Sequence, residues 1–167
     1  MNVSSWLKKA AISRLDAELI LANSLGKDRV FLHAHPEFEL SEEVEKRADA
    51  DSLRRANHEP LAYILGYKDF YGRRFTVTPD TLIPRPETEA IIDLVKELSL
   101  EKPKILDVGT GSGCIAITLK LELPESDVIA VDISEKALVV AEKNADNLHA
   151  NLEFKQSDLL KNVDEKF

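Results

Sequence analysis

Lys104-Ile105-Leu106-Asp107-Val108-Gly109-Thr110-Gly111-Ser112-Gly113-Cys114 decides how this chain is understood. A short apolar run ends in an acid, breaks into three glycines spaced by two, and passes into a helical stretch from Ile115 to Leu121. That order predicts a strand, a tight turn and a helix N-terminus. Glycine lets the backbone take positive φ and come close to a ligand, and a helix start offers N–H groups with no partner in the helix. The pattern predicts a nucleotide-type cofactor site on a doubly wound α/β sheet.

The spacing narrows the cofactor. A dinucleotide fingerprint needs G-x-G-x-x-G/A. Gly109 and Gly111 fit it, but the third position falls on Cys114 and Gly113 comes one residue early. Asp107 stands two residues before the first glycine. A carboxylate there opposes a pyrophosphate and suits an ammonium or sulfonium group. S-adenosylmethionine is therefore favoured over NAD, and a glycine turn with no ligand is the plainest alternative.

Two further acids extend the site. Asp127-Val128-Ile129-Ala130-Val131-Asp132 has the look of a buried strand ending in an acid, and Asp132 lies 23 residues after Gly109. That is close to the ~20 residues expected for an acid that holds a ribose hydroxyl. Ser134 is the better helix cap, which would leave Asp132 free. Ser134 to Leu148 predicts a helix with Ala137, Leu138, Ala141, Ala145 and Leu148 inward. Leu152 to Ser157 predicts a third strand, closed by Asp158. Ligands bind at the carboxyl ends of such strands, so Asp107, Asp132 and Asp158 should converge on one crevice.

Upstream, the first 69 residues predict a small helical bundle. Ser5 is placed to cap a short helix through Ala11, and Ser13 with Asp16 to cap a second, stopped by Gly26 and carrying Leu15, Leu19, Ala22 and Leu25 on one face. A third helix spans Lys27 to His33, and a fourth begins at Ser41 with Val44, Ala48 and Leu53 as its apolar stripe. Pro60 opens a last one, ended by Gly66. Trp6, Phe31 and Tyr63 are core or interface residues, and the bundle as a whole could serve to recognise a partner. Between residues 70 and 84 the period changes. Phe75, Val77 and Thr78, with Leu82 and Ile83, flank Thr78-Pro79-Asp80-Thr81, which predicts a β-hairpin around a proline turn, acting as linker and hinge. Pro86 then starts a helix through Ile91, Ile92, Val95 and Leu98, with Arg85 held between two prolines as a cap or as a carboxylate ligand. The α/β part runs over 85–167.

The whole-chain properties set limits. The chain has 167 residues and a net charge of -8, which opposes a broad phosphate-tracking surface, so no direct nucleic-acid binding is expected. No apolar run reaches the ~18 residues of a membrane helix, and no signal peptide is visible. One cysteine suits a cytoplasmic protein without an internal disulfide. His33, His35, His58 and His149 lack ligand spacing, so no metal site is expected.

Ser13 to Leu19, the run Glu59-Pro60-Leu61-Ala62-Tyr63-Ile64-Leu65-Gly66, the run Leu82-Ile83-Pro84-Arg85-Pro86-Glu87-Thr88-Glu89 and Ile105 to Gly113 together resemble the HemK/PrmC methyltransferases. The resemblance implies a truncated Rossmann-like class I methyltransferase domain behind a helical domain that helps grip the substrate. It implies S-adenosylmethionine as methyl donor and the glutamine of the Gly-Gly-Gln loop of peptide chain release factors as acceptor. Gly109, Thr110, Gly111, Ser112 and Gly113 would wrap the methionine end and ribose, with Arg85 near the methionine end. Asp132 would accept the ribose hydroxyls, while Asp158 and Leu159 would flank the adenine.

In that family the fourth strand ends in Asn-Pro-Pro-Tyr, whose asparagine and a proline carbonyl orient the acceptor amide toward the methyl group. The sequence ends at Phe167, where that strand should begin. The expectation is an N-terminal portion holding the donor site, with no catalytic residue of its own and negligible transfer activity. An adenine-N6 nucleic-acid methyltransferase, a non-catalytic binding fragment and a dinucleotide oxidoreductase are the alternatives.

Overall fold

The computed structural model describes residues 1–163, so the end of the chain at Phe167 lies outside the described residues. Two compact units divide the chain, Met1–Leu65 and Gly66–Phe167.

The first unit is all helical: α1 (Val3–Lys9), α2 (Arg14–Leu25), α3 (Arg29–Ala34), α4 (Glu42–Ala56) and α5 (Leu61–Leu65). Side-chain oxygens satisfy N–H groups at four of the starts, as short polar residues at that position do. Ser13 accepts from Asp16 N–H at 3.1 Å, Asp28 from Phe31 N–H at 2.8 Å, and Ser41 from Val44 N–H at 3.3 Å. The first cap is Asn2, which accepts from Ser5 N–H at 2.9 Å. The helix therefore begins three residues before the position expected from Ser5. Gly26, at φ +64°, ends α2.

None of these helices is long enough to be stable alone in water. They share a core of Trp6, Ile20, Leu21, Leu32, Ala48 and Ile64. On α2 the expected face holds in part: Ala22 is buried and Leu25 packs on the core, but Leu15 is exposed, and Ala17, Ile20 and Leu21 are buried instead. Apolar residues surround that helix, so periodicity alone does not choose a face. Leu53, expected on the inner stripe of α4, is exposed as well.

One carboxylate is buried in this unit. Glu18 accepts from Arg14 Nε at 2.7 Å and Arg29 Nη2 at 2.6 Å, with His33 Nε2 at 3.4 Å. Arg29, foremost, holds its carboxyl below the usual range; burial opposes this, and Arg14 and His33 add to it. A depressed folded-state value contributes stability that is present above the unfolded value of about 4.3 and is lost as pH falls through the folded one. Glu18→Gln is therefore expected to flatten the acid limb of the stability curve below about pH 4. Urea denaturation at a series of pH values measures this, and a slope equal to that of the parent would contradict it.

The second unit opens with a hairpin, β1 (Tyr67–Phe70) and β2 (Arg73–Thr76), paired from Tyr67 against Thr76 to Phe70 against Arg73. The hairpin expected across 70–84 is thus displaced toward the N-terminus. Tyr71 (φ +48°) and Gly72 (φ +71°) make its two-residue turn, and positive φ at both positions matches the twist of the flanking strands. Thr78-Pro79-Asp80-Thr81 does turn, with Thr81 N–H on Thr78 O at 2.9 Å, but no strand follows it to pair back with β2.

Nor is the hairpin a free linker. Phe70 and Phe75 are buried with Ile92 and Ile117. Tyr71 N–H donates to Glu89 at 2.8 Å, and Glu122 accepts from both Arg73 and Lys96 at 2.6 Å.

Pro86–Thr88 form a single 3-10 turn leading into α6 (Glu89–Glu97). Ile92 is buried there, whereas Ile91, Leu94 and Leu98 are exposed. The helix carries two apolar stripes, and the one around Ile92 meets the hairpin. Then come β3 (Lys104–Val108), α7 (Cys114–Glu122), β4 (Asp127–Asp132), α8 (Glu135–Leu148) and β5 (Glu153–Gln156). Among the described residues the sheet is parallel in the order β3-β4-β5. Helical crossovers between parallel strands bring all three strand ends to the same side. Among the described residues no helix is long and apolar enough to cross a membrane.

Candidate functional site

The turn after β3 is built from three positive-φ glycines: Gly109 (+77°), Gly111 (+56°) and Gly113 (+79°). Gly109 N–H and Thr110 N–H both donate to Val131 O, at 2.8 and 3.0 Å, so the turn folds over the end of β4. Gly113 N–H closes the turn on Thr110 O at 2.9 Å, and Gly113 is the residue before α7. A Cβ on Gly109 or Gly111 would meet nothing within 4 Å, so both lie open to one side. A Cβ on Gly113 would stand 2.7 Å from Ile117 Cδ1 and 3.1 Å from Ala141 Cβ. The third glycine serves close packing against α8.

Asp107 sits inside this turn. Its Oδ2 accepts the Thr110 hydroxyl at 2.7 Å, and the Ala116 N–H in the first turn of α7 also reaches its carboxylate. Burial pushes the Asp107 carboxyl up against these two bonds, and the neighbouring Asp132 charge pushes the same way. The helix start expected to offer its N–H groups to a ligand is thus partly satisfied by the chain's own acid.

Asp132, at the end of β4, is not free as expected. Its Oδ2 accepts Gly111 N–H and its Oδ1 accepts Ser134 N–H, each at 2.9 Å. Ser134 caps α8 through Ala137 N–H at 3.2 Å. Each carboxylate oxygen can accept more than one hydrogen bond, so Asp132 keeps acceptor capacity while bridging the glycine turn to the start of α8.

Asp158 lies two residues beyond β5, exposed and paired with Lys161. Leu159 beside it has φ +54° and is 69% exposed. Ser112 is buried in the turn. Arg85 is exposed, precedes the 3-10 turn, and makes no side-chain cap there. The structure thus joins Asp107, Thr110, Gly111 and Asp132 by direct hydrogen bonds and leaves Asp158, Leu159 and Arg85 outside that network.

Two residues escaped the sequence reading. Each acid is followed by an exposed apolar residue: Val108, Ile133 and Leu159. Ile133 follows Asp132 as Leu159 follows Asp158, and its signal is an apolar residue directly after such an acid. Asn144 on α8 is 1% exposed, and its carboxamide donates to Ser112 O at 2.9 Å. Its signal is a polar residue three positions after Ala141 on the buried stripe. Cys114 is buried, which pushes its thiol up to about 11 and leaves it protonated and unreactive at neutral pH.

Known proteins match this architecture in two parts. A family model for the PrmC N-terminal domain matches residues 2–66, and one for the methyltransferase small domain matches residues 88–167. The release factor glutamine methyltransferase of Koribacter versatilis is 50% identical over 153 residues, covering 90% of this chain and 55% of that protein. The one from Neisseria gonorrhoeae is 44% identical over 154 residues, covering 92% and 56%. That of Escherichia coli is 38% identical over 168 residues, covering 95% and 60%. The chain therefore spans little more than half the length of these curated relatives, beginning with their helical domain and continuing into the methyltransferase domain. It belongs to the PrmC/HemK family of release factor glutamine methyltransferases, whose N-terminal portion it matches.

Proposed function

We propose that this chain holds the methyl-donor site of a release factor glutamine methyltransferase, with S-adenosylmethionine as the donor. One observation carries the reading: Asp107 already occupies the electropositive start of α7. A pyrophosphate arriving there would meet a carboxylate, whereas the cationic methionine end of S-adenosylmethionine would neutralise it. The group supplies an electrophilic methyl on a sulfonium.

The chain's residues have separate tasks in this reading. Gly109 and Gly111 let the backbone approach the ligand, with Thr110, Ser112 and Gly113 completing the turn. Asp107 balances the ligand's positive charge. Asp132 accepts ribose hydroxyls on the acceptor capacity its two N–H bonds leave. Ile133 and Leu159 would offer apolar surface to the adenine, with Asp158 beside it, and Arg85 would pair with the ligand carboxylate. The acceptor is the Gly-Gly-Gln glutamine of a peptide chain release factor, gripped in part by the helical unit. The boundaries expected at 69/70 and 84/85 give way to one at 65/66: in this reading residues 1–65 serve substrate recognition and residues 66–167, hairpin included, serve donor binding.

Asp107 supplies a test with opposite signs. Its ionised form is disfavoured in the folded chain, so this group's contribution to stability is greatest below the unfolded value and falls as pH rises toward the raised one. Asp107→Asn should raise the thermal midpoint at neutral pH while weakening S-adenosylhomocysteine binding about tenfold, the loss of one charge-assisted contact. In the parent, affinity should rise with pH through the acid range and level off near neutrality. A variant that binds as well as the parent, or a flat pH profile, would remove Asp107 from the donor site. For the acceptor, mass spectrometry of release factors from cells lacking the encoding gene should find the Gly-Gly-Gln glutamine without its methyl group. Full methylation there would refute the substrate.

A further inference from the structure

Asn144 is the one buried carboxamide on the inner stripe of α8, and its hydrogen bonds join three segments. Its Oδ1 accepts Thr76 N–H at 2.7 Å, while its Nδ2 donates to Thr76 O and to Ser112 O, each at 2.9 Å. Thr76 ends β2 opposite Tyr67, and both of its backbone groups are taken by Asn144, as a neighbouring strand would take them. Both Nδ2 hydrogens are therefore used, one on the hairpin and one on the glycine turn.

The Ser112–Gly113 peptide is held at both ends. Its carbonyl is on Asn144 Nδ2 at 2.9 Å and its N–H on Thr110 O at 2.9 Å. Gly113 at φ +79° leaves no room for a Cβ beside Ala141, one turn before Asn144 on the same helix. Ala141 and Asn144 together set where the turn can lie. Without the carboxamide, the buried Ser112 carbonyl would have to rotate to find a donor, and Gly113 would turn with it.

We infer that Asn144 is a positioning residue for the methyl-donor site, holding the Ser112–Gly113 peptide in its cofactor-ready orientation through a bridge to the hairpin. This rests on the donor-site reading above. Aspartate is no substitute, because at neutral pH its second oxygen would face the carbonyls of Thr76 and Ser112 without a proton to offer either.

Calorimetry with S-adenosylhomocysteine, well below each variant's thermal midpoint, tests the inference on the parent, Asn144→Ala, Asn144→Asp and Ala145→Gly. Ala145 is buried next to Asn144 and serves as a destabilised control. The expected result is at least about tenfold weaker binding for both Asn144 variants, parent-like affinity for Ala145→Gly, and faster exchange of the Gly113 amide in Asn144→Ala. Affinity within about twofold of the parent in Asn144→Ala would overturn it. If neither Asn144 variant folds, the parent alone decides. Adding S-adenosylhomocysteine should then slow exchange of the Thr76 amide and the Asn144 side-chain protons, and unchanged exchange there would overturn it. A parent that binds no S-adenosylhomocysteine would overturn the donor-site reading itself, and this inference with it.

Discussion

Asp132→Ala is expected to weaken S-adenosylhomocysteine binding by at least about 100-fold, because two hydrogen bonds to a charged acceptor contribute about 1.5–3 kcal/mol each. The substitution acts on the free chain as well. Gly111 N–H and Ser134 N–H would each lose an acceptor now 2.9 Å away. Both donors are half-buried, so each loss costs less than the about 1–3 kcal/mol of a fully buried unsatisfied donor, and the thermal midpoint should fall modestly. Asp132→Asn separates the two effects. Its amide oxygen can keep one N–H bond but its NH2 opposes the other, and it offers the ligand fewer acceptors. Both variants should stay folded with affinity reduced in the order parent, Asn, Ala. Calorimetry with parallel denaturation curves would show this, and an alanine variant binding like the parent would remove Asp132 from the site.

Among the glycines, Gly113→Ala should destabilise the second unit most, by about 2–5 kcal/mol. Left-handed backbone costs a non-glycine residue about 1–2 kcal/mol, and overpacking a tight site adds about 1–3. The Cβ would come within 2.7 Å of Ile117 Cδ1, which can rotate away, but also 3.1 Å from Ala141 Cβ and 3.4 Å from Ala141 Cα, which cannot. Gly111→Ala meets open space and should cost only the backbone part, about 1–2 kcal/mol. Chemical denaturation of the two variants gives the comparison, and equal losses would contradict the packing role of Gly113.

Much of the second unit was legible because its signals were local and agreed. Asp127–Asp132 is the strand its composition predicts, and Ser134 caps the helix that follows it. The caps at Ser13 and Ser41 were legible for the same reason. What failed depended on tertiary partners. Pro79 marks a turn, but the hairpin formed around Tyr71-Gly72, where cross-strand pairing of aromatic and charged residues decided the register. On α2 and α6 apolar residues face more than one way, and only packing selects Ile20 over Leu15, or Ile92 over Ile91.

The site was readable as residue types and not as a network. Asp107, Asp132 and the glycines stand out in sequence, but their engagement with Thr110, Gly111 and Ser134 does not. Asn144 was hidden because a lone asparagine in a helix carries no motif. Only the carbonyls brought to it by β2 and the glycine turn give it a role.

The most direct measurement compares S-adenosylhomocysteine with NADH as ligands of this chain by titration calorimetry at neutral pH. The site described predicts saturable one-to-one binding of S-adenosylhomocysteine, weakened at least about 100-fold in Asp132→Ala, and no measurable heat with NADH. Preferential binding of NADH, or S-adenosylhomocysteine binding by Asp132→Ala with the parent's affinity, would contradict it.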